Sequence, residues 1–404
     1  MTELKQKIFI CLPAMNEGEQ LPSFLEMLAN QSYQNFELHI CVNQPESYNT
    51  SHPEIVENNQ KSIEFLKAEK RFKIQILDRS TPGLGWNKKN YGVGWARKVC
   101  MDSAAKYANY SDLLVCADAD TFYPNNYLET VALNFEENKK QLGLAVPYYH
   151  PLTSDEDLNR HILRYEIYMR IYALNMWSIK NPYAYTAVGS SMVCTKKTYE
   201  KIGGMTPHKS GEDFYFLQKI RKAGILGVWN NVHTQPAARY SDRVFFGTGP
   251  ALIKGANGDW TSYPIYHHSL YSDIKDTFDS FSKLYTDAKT NYPLKEFLQE
   301  IFSCDDPFAK LRENAKTVET FQKACIQKID GLRILQYLKN NKNNNLNSDE
   351  NNLIDFFTFN YKEEFLLPNN FSFNTSDIEI LSNIRDFLVS KEHLYLQKYH
   401  KTHA

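Results

Sequence analysis

The chain has 404 residues, with 46 Lys and Arg against 47 Asp and Glu, for a formal net charge of −1. That balance argues against a nucleic-acid coat and against a polybasic membrane binder. Apolar residues at 42% and charged residues at 23% are ordinary for a folded globular protein, which excludes wholesale disorder, collagen and a small disulfide scaffold.

The opening stretch reads as a strand rather than a signal peptide: the apolar run Ile8 to Pro13 is short, and Glu17 and Glu19 follow it. No stretch approaches the ~18 apolar residues of a membrane-spanning helix, so any membrane contact is expected to be peripheral. The seven cysteines are scattered and form no CxxC pair. They read as reduced, buried residues of a cytoplasmic protein.

The first half alternates apolar runs with helical patterns. Ile8 to Leu12 predicts a strand covered on both faces, and Leu21, Phe24, Leu25 and Leu28 then fall at helical spacing. Phe36 to Val42 predicts a second strand, and the alternation of Phe72, Ile74 and Ile76 a third. Residues 88–107 look helical, Leu113 to Ala117 is a fourth strand running into acidic residues, and Leu142 to Val146 a fifth. Further helices are expected over 155–178, 196–202 and 212–223, with a strand near 191–194. Alternating strands and helices predict right-handed crossovers and an α/β fold with a mostly parallel sheet. Ligands then sit beyond the carboxyl ends of the strands, at Pro13–Glu17, Asn43–Glu46, Asp78–Gly85 and Asp118–Asp120. After about residue 266 the pattern turns helical, interrupted by a polar Asn-rich loop at 339–352. This predicts an α/β domain over 1–265 and a mainly helical region over 266–404.

Asp118-Ala119-Asp120 follows a buried strand, and in extended geometry both carboxylates point to one side. A hard divalent cation carrying diphosphate oxygens would relieve their repulsion; a solvated turn is the bland alternative. Glu212-Asp213 opens a helix after Gly211 and offers a carboxylate base or, more simply, a complement to the helix dipole. GLGWNKKNYGVG lacks the spacing of a P-loop.

Four segments in order, IFICLPAMNEGEQLPSFLEML, LLVCADADTFYPNNYL, SSMVCTKKTYEKIGGM and GEDFYFLQKIRKAG, resemble the family 2 glycosyltransferases of GT-A fold over roughly residues 6–235. The resemblance implies transfer of a sugar from a nucleotide-diphospho-sugar to a carbohydrate or other hydroxyl acceptor. It assigns Pro13, Asn16 and Glu17 to the base and ribose. Asp120 is expected to bind Mn2+ or Mg2+, with Asp118 holding ribose or water ligands of the ion. Asn43 stands where the family often has a base-contacting acid, which leaves the base undecided between uracil, the preferred one, and guanine. Gly92, Gly94, Ala96 and Arg97 match a G-x-G-x-A-R segment, whose small residues would approach the donor while Arg97 meets the diphosphate. Asp213 would be the base of an inverting reaction with Glu212 in support, and the helix N-terminus should keep Asp213 ionised. His233 is a candidate metal ligand. Arg239, Arg243 and Lys254, around FFGTGP (245–250), are candidates to close over the diphosphate.

Three other readings compete. A retaining transferase would use Asp213 to bind the acceptor. A sugar-phosphate nucleotidyltransferase should open with a Gly-rich loop, which this chain lacks. An inactive glycan- or nucleotide-binding scaffold sits poorly with intact Asp118, Asp120 and Asp213.

Overall fold

The structure, a computed structural model, describes residues 4–87, 89–242, 247–341, 347–368 and 370–403. Arg243, the paired phenylalanines of FFGTGP and the centre of the Asn-rich loop (342–346) lie outside the described residues.

Among the described residues there are nine strands: β1 (Ile8–Ala14), β2 (Phe36–Asn43), β3 (Ile74–Arg79), β4 (Leu113–Cys116), β5 (Thr121–Phe122), β6 (Gln141–Ala145), β7 (Met192–Thr195), β8 (Ile225–Gly227) and β9 (Gln235–Pro236). Seven form one sheet in the order β3-β2-β1-β4-β7-β6-β8, and β5 pairs with β9 separately. The chain is therefore of mixed α/β class, with a mostly parallel sheet flanked by helices. β1 runs parallel to both β2 and β4, with Ile8 opposite Phe36 and Leu113, and β3 joins in parallel beyond β2. The exception is β7, antiparallel to β4 and β6. The loops after β1, β2, β3 and β4 consequently open along one edge of the sheet.

The core explains the apolar runs. Ile8, Ile10 and Leu12 of β1 meet Leu21, Phe24, Leu25 and Leu28 of the helix Leu21–Ala29 in one buried cluster. Burial of such a side chain stabilises the fold by roughly 1.5–3 kcal/mol. The third strand starts and ends later than its alternation predicts, at Ile74 and Arg79. The helix expected over 88–107 begins at Val93, because Gly92 takes φ 107°, which no helix accommodates. Thr195 caps the helix Lys196–Lys201 by accepting the N–H of Thr198, and Gly203 and Gly204, both at positive φ, end the segment. Six cysteines are buried and Cys304 is exposed.

The chain divides into two compact units. One comprises Met1–Ile162, Tyr185–Asp259 and His393–Ala404 and contains the sheet; the other comprises Leu163–Ala184 and Trp260–Glu392. Within the second, helical unit, Arg170 pairs with Glu166 and Glu392, all buried. Arg164 binds Asp349 at 2.9 Å with Trp260 and Phe373 rings each 4.6 Å from its guanidinium carbon. Among the described residues, no helix is long and apolar enough to cross a membrane.

Candidate functional site

Two arginines organise the carboxylates at the open edge of the sheet. Arg97, on the helix Val93–Tyr107, is 1% exposed. Its Nη2 donates to Asp118 Oδ1 at 3.0 Å and its Nε to Glu212 Oε1 at 3.2 Å. Burial opposes its charge, but Asp118 and Glu212 outweigh that and raise its pKa. Arg97 thus ties the loop after β4 to the first turn of the helix Glu212–Ala223. Arg239 does the same at the other end of the Asp118–Asp120 motif: its Nη2 lies 2.6 Å from Asp120 Oδ2 and 2.7 Å from Glu17 Oε1.

Small residues permit this crowding. A β-carbon on Gly189 would lie 2.8 Å from Arg97 Nη2 and 3.8 Å from Asp213 Oδ2, so the Gly189–Ser191 turn backs directly onto both groups. Tyr123 locks that turn to the Asp118 loop, accepting the Asp118 N–H at 3.1 Å and donating to the Ser190 carbonyl at 3.0 Å. Gly92 and Gly94 serve the same end. β-carbons there would meet Lys209 O at 3.0 Å and His208 O at 2.2 Å. The glycines thus admit the segment leading into Glu212.

Asp213 Oδ1 accepts the N–H of Phe214 at 2.7 Å. The expectation that the helix N-terminus would hold this carboxyl low is overturned. Burial, followed by the charge of Glu212, raises its pKa to about 7, against the Phe214 N–H and Arg97. Glu212 is itself shifted up by burial, with Arg97 opposing.

At the first loop, Asn16 adopts φ 57° and donates its N–H to Asn59 Oδ1 at 2.9 Å, while Gly18 N–H binds Asn58 Oδ1 at 3.0 Å. Pro13 sits in β1 opposite Cys41. Asn43 is 5% exposed: its Nδ2 donates to Ala14 O at 2.8 Å and Cys41 O at 3.3 Å, and its Oδ1 accepts from Trp86 Nε1 at 3.0 Å. It holds β1, β2 and Trp86 together. Glu46 accepts the N–H groups of Gly83 and Gly85 at 2.8 and 2.9 Å, so that glycine-bearing turn is fastened to a carboxylate.

His233 falls elsewhere. The register of β9 sets Pro236 opposite Thr121 and Gln235 opposite Phe122, and Ala237 N–H reaches Asp120 O at 3.2 Å. His233, two residues before β9, lies against the Tyr149 ring with centroids 5.7 Å apart. Among the described residues there is no group of three or more His, Cys, Asp or Glu side chains able to hold a metal ion. The expected set of Asp118, Asp120 and His233 is thus not gathered; the side chain that reaches Asp120 from this segment is Arg239.

Residues 9–203 match the family described as glycosyl transferase family 2. This segment is a family 2 glycosyltransferase domain. Solved structures similar to this chain include S. aureus TarS 1-349, with 12% identity over 80% of this chain and 91% of that chain and a TM-score of 0.37. A form of it in complex with UDP matches at 13% identity with the same coverage and a TM-score of 0.38. The mannosyltransferase PcManGT from Pyrobaculum calidifontis, in complex with GDP-Man and Mn2+, matches at 11% identity over 96% of this chain and 87% of that chain, with a TM-score of 0.39. Comparison with curated proteins returns no match.

Within the glycosyltransferase domain, the sequence assigned no individual role to Trp86, Glu46 or Tyr123. Trp86 and Glu46 did carry a signal: each lies in or beside a segment that follows a parallel strand. Tyr123, five residues beyond Asp118, carried none, since an aromatic after an acidic loop is ordinary.

Proposed function

We propose that this glycosyltransferase moves a sugar from a nucleotide-diphospho-sugar to a hydroxyl acceptor with inversion at the anomeric carbon, using Asp213 as base. The observation that carries the proposal is the Arg97 bridge, which fixes the start of the Asp213 helix against the Asp118–Asp120 loop. Attack and departure take place on opposite faces of the anomeric carbon, so base and donor loop must be held in register. The acceptor oxygen forms the new bond to that carbon as its proton passes to Asp213 and the bond to the diphosphate breaks. A carboxylate of pKa about 7 is well matched to accepting a proton near neutrality. Glu212 sustains that value through its charge and, held by Arg97, keeps the helix start in place.

A divalent ion, Mn2+ or Mg2+, fits the chemistry of the site. Glu17, Asp118 and Asp120 alone outnumber the two guanidiniums that pair with them among the described residues, so an anionic donor meets excess negative charge even with the raised Glu212 and Asp213 carboxyls left out of the count. Asp120 and Asp118 are hard oxygen donors of the kind these ions take, and two carboxylates leave the remaining positions to water and donor oxygens. When bound, such an ion supplies Lewis-acid neutralisation of the departing diphosphate. His233 is left out of this set. Pro13, Asn16 and Glu17 line the nucleoside, and Asn43 shapes their end of the sheet from behind. A screen of UDP-, GDP- and dTDP-sugars with Mn2+, reading free nucleotide, tests the proposal. UDP-sugars are the expected donors, and no release from any of them would refute donor use.

A further inference from the structure

Arg239 stands where two demands collide. Glu17 lies on the loop after β1 and Asp120 on the loop after β4, and Arg239 reaches both from a third segment, three residues past β9. A single nitrogen, Nη2, serves both carboxylates, at 2.6 and 2.7 Å, while Nη1 adds a contact to Glu17 Oε2 at 3.4 Å. The pairing of β5 with β9 and the Ala237 N–H bond to Asp120 O tether this segment beside the motif. The guanidinium therefore occupies Oδ2, one of the two oxygens through which Asp120 could hold an ion, and sets a positive charge beside the other. Two cations cannot share Oδ2 without strong repulsion.

We propose that Arg239 is a tethered cation which a divalent ion must displace from Asp120, and that the displaced guanidinium then pairs with the donor diphosphate. The inference rests on the metal-dependent reading of the site. The exchange keeps every charge matched: Asp120 trades a guanidinium for the ion, while Arg239 keeps Glu17 and trades only the Asp120 carboxylate for phosphoryl oxygens. The planar fork of arginine suits those oxygens as well as it suits a carboxylate. At 30% side-chain exposure Arg239 has room to move, whereas Arg97, at 1%, does not.

The test is calorimetric titration of UDP and GDP, and of UMP and GMP, at graded Mn2+ concentrations, with wild type, R239Q, R239M and R239K. Removing the competing charge in R239Q or R239M should lower the Mn2+ concentration that half-saturates diphosphate binding at least about tenfold. At saturating Mn2+ the preference for UDP over UMP, or GDP over GMP, should fall in the same two variants. R239K keeps the charge and should stay near the wild-type Mn2+ requirement. Because R239Q and R239M carry the same expectation, a folding defect in one leaves the other to decide. An unchanged or higher Mn2+ requirement in both overturns the exchange while leaving metal-dependent transfer standing. Wild-type binding of UDP and GDP that is equally tight in EDTA overturns the metal-dependent reading, and the exchange with it.

Discussion

Gly94 and His208 approach so closely that a β-carbon on the glycine would sit 2.2 Å from the histidine carbonyl oxygen and 3.0 Å from Glu212 Cβ. The contact is with backbone, which cannot swing aside as a flexible side chain can. Gly94→Ala should therefore push the 208–212 segment off the helix and pull Glu212 away from Arg97. The expected result is turnover reduced by at least about tenfold, since misplacement by about 1 Å can cost 10²-fold. UDP affinity should change little, because Glu17, Asp118 and Asp120 lie on other loops. Kinetics with parallel UDP calorimetry checks this; normal turnover in Gly94→Ala would show that the segment tolerates displacement.

Buried parallel strands were legible because both faces are covered, which leaves continuous apolar runs such as Ile8 to Leu12. Their carboxyl ends then pointed to Glu17, Asp118 and Asp120 before any contact was known. Partners distant along the chain were not legible. Arg97 meets Asp118 and Glu212 across separations of 21 and 115 residues, and Arg239 meets Glu17 across 222. Nothing local distinguishes such an arginine from a surface one. The same limit misdirected the reading of Asp213. Its helix N-terminus is visible in sequence, but the burial and the Glu212 charge that outweigh it arise from tertiary packing.

Glu212 provides a direct test of that electrostatic argument. Its charge is the second contributor, after burial, to the raised pKa of Asp213. Glu212→Gln removes the charge while retaining shape and a group able to face Arg97. The ascending limb of the pH–rate profile should move to lower pH, because Asp213 then ionises more readily. An unmoved limb would show that the limb reports another group. Since Arg97 loses its buried anionic partner and keeps only the partly exposed Asp118, the variant should also be less stable, by about 3–5 kcal/mol if the pair behaves as broken.

A separate titration is built into β2. His39 is fully buried, with Nε2 3.2 Å from Glu37 Oε1 and Nδ1 3.0 Å from Ser103 Oγ. Burial lowers its pKa, with Glu37 opposing. The unfolded chain, with His near pKa ~6.5, therefore takes up the proton first as pH falls. The stability His39 contributes is present above that value and is lost as pH drops toward the folded pKa. Asp213 acts in the opposite sense, so the measurement is a difference. Thermal midpoints of wild type and His39→Gln from about pH 7.5 to 5.5 should converge as the pH falls. A constant gap would mean that His39 does not titrate differently in the two states.

Asp213→Asn is the decisive variant, because catalysis and stability should move in opposite directions. As base, Asp213 acts on the acceptor proton in the transition state, so its loss should cut turnover by at least ~10²-fold while donor affinity stays close to wild type. The wild-type rate should rise with pH through about 7 as the carboxyl ionises, and the variant's residual rate should lose that limb. The same raised pKa means that the fold resists the ionised form. Stability attached to the group is full below the unfolded value of ~3.9 and is lost as pH rises through the folded one. Asp213→Asn should consequently gain thermal stability relative to wild type at about pH 8 more than at about pH 5. Product stereochemistry by NMR completes the test. A retained anomeric configuration, or near-normal turnover in Asp213→Asn, would end the inverting-base reading and leave Asp213 as an acceptor-binding residue of a retaining enzyme.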